Sequence, residues 1–433
     1  MIYQCVGIGI GPSNLSLASL LYPYKGVLNA FFDRKPEFAW HDGMYFAGAT
    51  LQVALFKDLV TLSDPTNPFS FISYLHAEGK IHHFLNARFE SVPRREFRNY
   101  LKWASDSNEN VHFGEEVTQV QFDGHFIVET ERRRIRAENI AVGVGIEAHI
   151  PSFARNHIGS TQFHVSEYGD KAKSLKAKRV VIVGGGQSGA EAFLDAIARE
   201  RDLLPKQVIW ISRRENFLPL DDSPFVNDYF MPSFSDYFFG QDADFKKTFL
   251  ERNVLASDGI SEKTIREIYQ RLYVLRFIED CDDVSVLMPG RTVEHVWHDG
   301  RQWGLAVTHD ATKSEEEAVY ADIVIWATGF RSARMPFLDP LVSRLEYEDV
   351  EVRIDSDFAA VWDGPTDRRI FMLNAARRQR GLAEPNLSLI AWRSQCVIDA
   401  MLGRAGCTRG AQKQSFVTWQ PINAWSERQD RAV

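Results

Sequence analysis

The stretch VVIVGGGQSGAEAF, residues 180–193, runs from a β-branched strand through three glycines into a helix. In a strand–turn–helix unit of this type the first glycine permits the tight bend and the second lets the backbone approach a pyrophosphate. The third allows the helix to pack closely on the strand. Gly184, Gly186 and Gly189 hold those three places, and Gln187 and Ser188 open the helix whose N-terminus would face the anion. The unit begins almost halfway along the chain. A second turn of the same kind, VGIGIGPSNLSLA, lies at residues 6–18, with Gly9, Gly11 and Pro12 in register and Asn14 where a third glycine would stand. Two such turns predict an α/β protein with two Rossmann-like dinucleotide-binding domains.

The residues after each turn separate the two ligands. The strand following the first turn, VLNAFFD, ends on Asp33, an acid placed to accept hydrogen bonds from an unphosphorylated ribose. The strand following the second, QVIWIS, runs into Arg213 and Arg214. Guanidinium groups there pair with a ribose 2′-phosphate, ordinary surface arginines being the alternative. The pattern therefore points to FAD at the first turn and NADPH at the second, with hydride passing from nicotinamide to flavin.

At 433 residues the chain is long enough for two or three domains. The simplest arrangement inserts the second nucleotide domain into the first. Residues 1–170 and 325–403 would form a discontinuous FAD unit, and 171–324 the NADPH unit with a small helical, substrate-binding portion at about 219–280. A polar tail, 404–433, is expected to be poorly ordered. A formal charge of −8 argues against nucleic acid, and no apolar run approaches the roughly 20 residues of a membrane span. Cys5, Cys281, Cys396 and Cys407 show neither metal nor redox spacing, which fits a reducing, cytoplasmic setting. No metal is expected. The missing cysteine pair also disfavours a disulfide reductase. A flavin monooxygenase and a catalytically silent nucleotide-binding sensor are the readings left.

Several motifs carry a family resemblance: GIGPSNLSLA, FAWHDGM, LQVALFKDLVTLSDPTNPFSFISYL, FHVSEY (163–168), VVIVGGGQSGAEAF, DDSPFVNDYF, WATGF (326–330) and GLAEPNLSLIAWRS. In this order, and over nearly the whole chain to about residue 403, the sequence resembles the N-hydroxylating flavoprotein monooxygenases of siderophore biosynthesis. These are the lysine N6-, ornithine N5- and diamine hydroxylases. The resemblance implies FAD- and NADPH-dependent, O2-consuming hydroxylation of a terminal primary amine through a C4a-hydroperoxyflavin, in a small-molecule enzyme that is often a dimer or tetramer. An amine of pKa near 10.4 is nearly all ammonium at neutral pH, so a dry site that favours the neutral form suits the chemistry.

Residue by residue, the resemblance places Gln52 near the flavin, and counts Thr328 and Gly329 of WATGF with the cofactor residues. Lys57 matches a lysine that pairs with an amino-acid α-carboxylate, Asn227 an asparagine that helps hold it, and Ser388 a serine near the reacting amine. A fixed cation at Lys57 suits an amino acid and repels the far ammonium of a diamine. That favours lysine or ornithine over cadaverine and putrescine. The stretches ASDGIS (256–261) and GLAEPNLSLIAWRS, which resemble the lysine enzymes, put lysine narrowly ahead, although DDSPFVNDYF resembles the ornithine enzymes. One departure stands out: the family commonly has His-Gly where this chain has Arg380-Gly381. His41 and His164 sit in motifs, but no catalytic side chain is assigned, since the flavin carries the oxygen chemistry.

Overall fold

The computed structural model describes residues 1–46, 48–51, 53–312, 316–404 and 415–419. The first sheet takes β1 (Ile2–Ile8), β2 (Asn29–Asp33), β3 (Val111–Phe113), β4 (Val117–Asp123), β5 (His125–Thr130) and β6 (Arg134–Val142) in the order β3-β2-β1-β6-β5-β4. The strands β3, β2, β1 and β6 run parallel, and β5 and β4 turn back as an antiparallel edge. A central parallel strand is covered on both faces and so reads as a continuous apolar run. Cys5 and Phe31 point to one core, Val6, Ile8 and Phe32 to the other. Helix α1 (Pro12–Leu21) leaves β1 through the first turn and is buried from Asn14 to Leu21.

The second sheet is wholly parallel. Its strands are β7 (Gln162–His164), β8 (Arg179–Val183), β9 (Gln207–Ser212), β10 (Ser285–Pro289) and β11 (Ile323–Trp326), in the order β10-β9-β8-β11-β7. Two parts of this sheet fall outside the 171–324 span expected from sequence: all of β7 and the end of β11. Helix α2 (Gln187–Ile197) follows the second turn. Between β9 and β10 lie α3 (Pro232–Phe239), the helix Ala243–Arg252 and α4 (Glu262–Phe277). A three-stranded antiparallel sheet, Arg291–His298, Trp303–His309 and Glu316–Ala321, fills the interval before β11. The chain then returns to the first sheet. Strand β12 (Ile370–Met372) pairs in parallel with β6, and α5 (Ile390–Met401) packs on α1.

Polar side chains tie the two sheets together. Arg94, at the start of the helix Arg94–Asp106, grips Glu191 of α2 through two hydrogen bonds of 2.9 and 2.8 Å. Within the second sheet, His164 at the end of β7 sits between the Gly329 carbonyl and the Ser166 hydroxyl at 3.0 and 2.9 Å. The expectation of a poorly ordered tail is corrected for Ser415–Trp419. The Ser415 hydroxyl donates to Asp228 at 2.7 Å, and the Trp419 ring packs on Phe234 with centroids 4.8 Å apart. The aromatic cluster around α3 gives the Trp419 ring apolar area to cover. Among the described residues no helix is long and apolar enough to cross a membrane, and no acid, His and Cys cluster could hold a metal ion.

Candidate active site

The two turns have the geometry that phosphate binding requires, reached differently. In the second, Gly184 has φ +134°, and a Cβ there would lie 2.1 Å from the Ala327 carbonyl oxygen. A Cβ at Gly189 would lie 2.2 Å from the Gly184 carbonyl oxygen, so α2 approaches the strand only because that atom is missing. Gly186 caps α2 without a side-chain hydrogen bond, and Ser188 stands in its first turn. The helix N–H groups there are left for an anion. The Gln187 side chain is spent elsewhere. It accepts from Ser261 N at 2.8 Å and donates to Glu191 and Thr264, which ties α2 to α4. Only its backbone belongs to the turn.

In the first turn Gly9 has φ +83°, with the Gly143 carbonyl oxygen 2.7 Å from where a Cβ would stand. Gly11 caps α1, again without a side-chain bond, and Pro12 occupies the first helical position, where no N–H is needed. Asn14 is fully buried, and its Nδ2 lies 3.1, 2.7 and 3.1 Å from the carbonyl oxygens of Ile8, Gly9 and Ala141. Its two N–H groups are shared among three acceptors on β1, the turn and β6. Asn14 therefore braces the turn through its side-chain amide. Asp33 is buried and accepts from Ile10 N at 2.7 Å, placing its carboxylate at the end of β2 directly beside the turn.

Arg213 and Arg214 diverge. Arg213 is exposed, its guanidinium has no partner among the described residues, and it opens on a cavity of about 710 Å3 that Arg214, Thr292, Glu294, Thr308 and Asp310 also line. Arg214 donates to the carbonyls of Gly185 and Asp258 at 3.2 and 2.9 Å, so it braces the second turn. Thr328 and Gly329 sit where the chain leaves β11. The Thr328 hydroxyl donates to the His149 carbonyl, and Gly329 has φ +82°. Burial lowers the pKa of His164, and burial followed by nearby Arg94 lowers that of His41 to about 4. Both imidazoles are therefore neutral at pH 7.

The residues expected to meet substrate come from three distant segments. Lys57 is half-buried with its Nζ 5.9 Å from the centre of the Phe230 ring, and no described carboxylate pairs with it. Burial lowers its pKa. Phe230 closes the short helix Asn227–Phe230, so the Lys57 and Asn227 segments meet there. Asn227 itself is exposed and donates to the Asp222 carbonyl at 2.7 Å. Ser16 of α1 joins the other pair of segments: its hydroxyl lies 2.5 Å from the Leu59 carbonyl oxygen and 3.4 Å from that of Ile390. Two residues before Ile390, the buried Ser388 hydroxyl donates to Asn386 at 2.8 Å, which leaves its lone pairs to accept from an amine. Gln52 lies outside the described residues. Phe230, Ser16 and the Arg94–Glu191 pair went unnoticed in the sequence, and no local pattern marks them.

Two sheets, one mainly and one wholly parallel, each with a glycine turn opening on a helix N-terminus, define a two-dinucleotide flavoenzyme fold. The L-lysine 6-monooxygenase/L-ornithine 5-monooxygenase family model matches residues 1–332, and the chain belongs to that family. It is 37% identical over 409 residues to the L-lysine N6-monooxygenase of Escherichia coli, covering 92% of this chain and 94% of that one. The FAD-bound cadaverine monooxygenase of the desferrioxamine pathway from Erwinia amylovora superposes with a TM-score of 0.90 at 25% identity, over 97% of this chain and 99% of that one. The ornithine N-hydroxylase of Kutzneria sp. 744, solved with reduced FAD, NADP+ and L-ornithine, gives 0.86 at 26% identity, over 93% and 99%.

Proposed function

We propose that this chain is an FAD- and NADPH-dependent monooxygenase that hydroxylates the terminal amine of L-lysine, in the cytoplasm, as an early step towards a hydroxamate siderophore. Bound flavin, once reduced by NADPH, supplies the activated oxygen. The residues of the chain do the rest. The α1 N-terminus with Gly9, Gly11 and Asp33 would hold the FAD pyrophosphate and ribose. The α2 N-terminus with Gly184 and Gly186 would hold NADPH, and Arg213 its 2′-phosphate, Glu294 and Asp310 facing the same cavity as opposing charges. Asn227 and Ser388 would contact the α-carboxylate and the reacting amine. The division into an outer flavin unit and an inserted NADPH unit belongs to this reading. So does a homo-oligomer, supported by Tyr269, Tyr273 and Phe277, exposed at four-residue spacing on α4.

The observation that carries the choice of an amino acid is Lys57, a half-buried cation beside the Phe230 ring with no counter-charge among the described residues. Such a group is costly unless a ligand carboxylate pairs with it. The test measures NADPH oxidation and hydroxylamine product together for lysine, ornithine, cadaverine and putrescine. Lysine is expected to give coupled product, and Lys57→Met to raise its KM by roughly ten- to a hundredfold without harming cadaverine turnover. Because burial lowers the Lys57 pKa, its charge is complete below that value and is lost as pH rises through it. The grip on lysine should thus weaken on the alkaline side before pH reaches the ordinary 10.5. Cadaverine should show no such limb. The close likeness to a cadaverine monooxygenase favours a diamine as the second reading, and product from cadaverine alone would establish it.

A further inference from the structure

Arg380 is among the largest fully buried side chains of the molecule. Its guanidinium lies between two rings, 4.1 Å from the centre of Phe239 and 4.2 Å from that of Phe358. Nη1 donates to Asp236 at 3.0 Å, and Nη2 donates to the Ser356 and Asp355 carbonyls at 2.5 and 3.4 Å. The Arg380 carbonyl in turn accepts from the Ser235 hydroxyl at 3.2 Å. Three of these partners, Ser235, Asp236 and Phe239, belong to α3; the other three belong to the loop 355–358.

That loop is continuous with the first sheet, since Ala359 bridges to Phe371 of β12 and β12 pairs with β6. Helix α3 is continuous with the wall opposite Lys57, since Met231 alone separates Phe230 from Pro232 and Tyr229 packs on Phe234 at 4.8 Å. One side chain therefore joins the segment that carries the Phe230 wall to the sheet that carries the first glycine turn. A flat, delocalised cation can do this because both of its faces stack on rings while its edges donate in plane. A lysine ammonium has neither faces nor a fork.

We propose that Arg380 is a positioning residue for the amine substrate: it fixes α3, and with it the Phe230–Asn227 wall, at a set distance from Lys57 and the flavin side. This rests on the proposed amine hydroxylation. The group does not touch substrate, so its loss should show in substrate affinity and coupling while cofactor handling is left alone.

The experiment compares wild type, Arg380→Lys and Phe239→Leu, the last keeping the ion pair and removing one stacked face. Lysine binding to the FAD-loaded oxidised protein is measured by calorimetry. Backbone hydrogen exchange over 232–239, the rate of flavin reduction by NADPH, and hydroxylamine formed per NADPH are measured beside it. Both variants are expected to bind lysine at least about tenfold more weakly and to form less product per NADPH. Exchange across α3 should rise while flavin reduction stays within about twofold of wild type. Unchanged lysine affinity and coupling in variants that bind FAD normally would overturn the positioning role, whatever their melting temperatures. If both variants fail to fold, exchange and calorimetry on Phe239→Tyr, which keeps both faces stacked, should match wild type; a tenfold loss there would also overturn it. Wild type that binds and hydroxylates none of the four amines would overturn the amine reading itself, a result separable from the first because no variant is involved.

Discussion

The two glycine turns close the same junction by opposite means. At 184–189 the helix approaches its strand because a side chain is missing, with the Gly189 Cβ position 2.2 Å from a carbonyl oxygen. At 9–14 it approaches because a side chain is present, Asn14 lying within 3.1 Å of three carbonyls on β1, the turn and β6. One turn is specified by steric vacancy and the other by hydrogen bonding. A glycine pattern alone detects the first and discounts the second.

The largest expected effect breaks the vacancy. Gly184→Val places branched carbon against the Ala327 carbonyl in a backbone region closed to valine. NADPH-driven flavin reduction should fall by at least about a hundredfold in kcat/KM, or about 2.7 kcal/mol, with bound FAD unchanged. Stopped-flow reduction and the flavin spectrum check this together. FAD lost with NADPH affinity would mean the turns are not independent.

The second breaks the bonding. Asn14→Gly restores the consensus glycine yet should destabilise the protein by about 1–3 kcal/mol, because buried carbonyls lose their donor. The expected result is a lower unfolding midpoint and weaker FAD retention, measured by thermal denaturation with flavin fluorescence. A stability equal to wild type would make Asn14 a tolerated substitute and remove the contrast.

These turns, their strands and the acid or arginine after them were legible because each is encoded within about 35 consecutive residues. What was not legible depends on partners far along the chain. Arg214 reaches carbonyls 29 and 44 residues away, so sequence could not tell it from Arg213. Asn14 owes its role to Ala141, 127 residues distant. The proposed substrate residues are the extreme case. Lys57, Asn227 and Ser388 each look like ordinary surface or turn residues, and family resemblance alone selected them. Their segments meet through Phe230 and Ser16, which no periodicity marks. Arg380 was noticed only as a departure. Its function as a stacked clamp follows from Asp236, 144 residues before it, and from Ser356, 24 before it.

The smallest expected effect sharpens the contrast at the proposed riboses, where Asp33 is tied inward and Arg213 has no partner among the described residues. Arg213→Ala should reduce the preference for NADPH over NADH by about tenfold, roughly 1.4 kcal/mol, through loss of a charge-assisted contact to the 2′-phosphate alone. Arg214→Ala should behave differently. With its bonds to Gly185 and Asp258 gone the turn itself loosens, so both nucleotides should bind less well and their ratio should change little. Reduction rates with each nucleotide over a range of concentrations separate the cases, because only a 2′-phosphate contact distinguishes the two ligands. Raised salt should weaken the Arg213 contribution, since the residue is exposed and its field is screened. An unchanged ratio in Arg213→Ala, with a changed one in Arg214→Ala, would exchange their assignments and make the inward-facing arginine the phosphate reader.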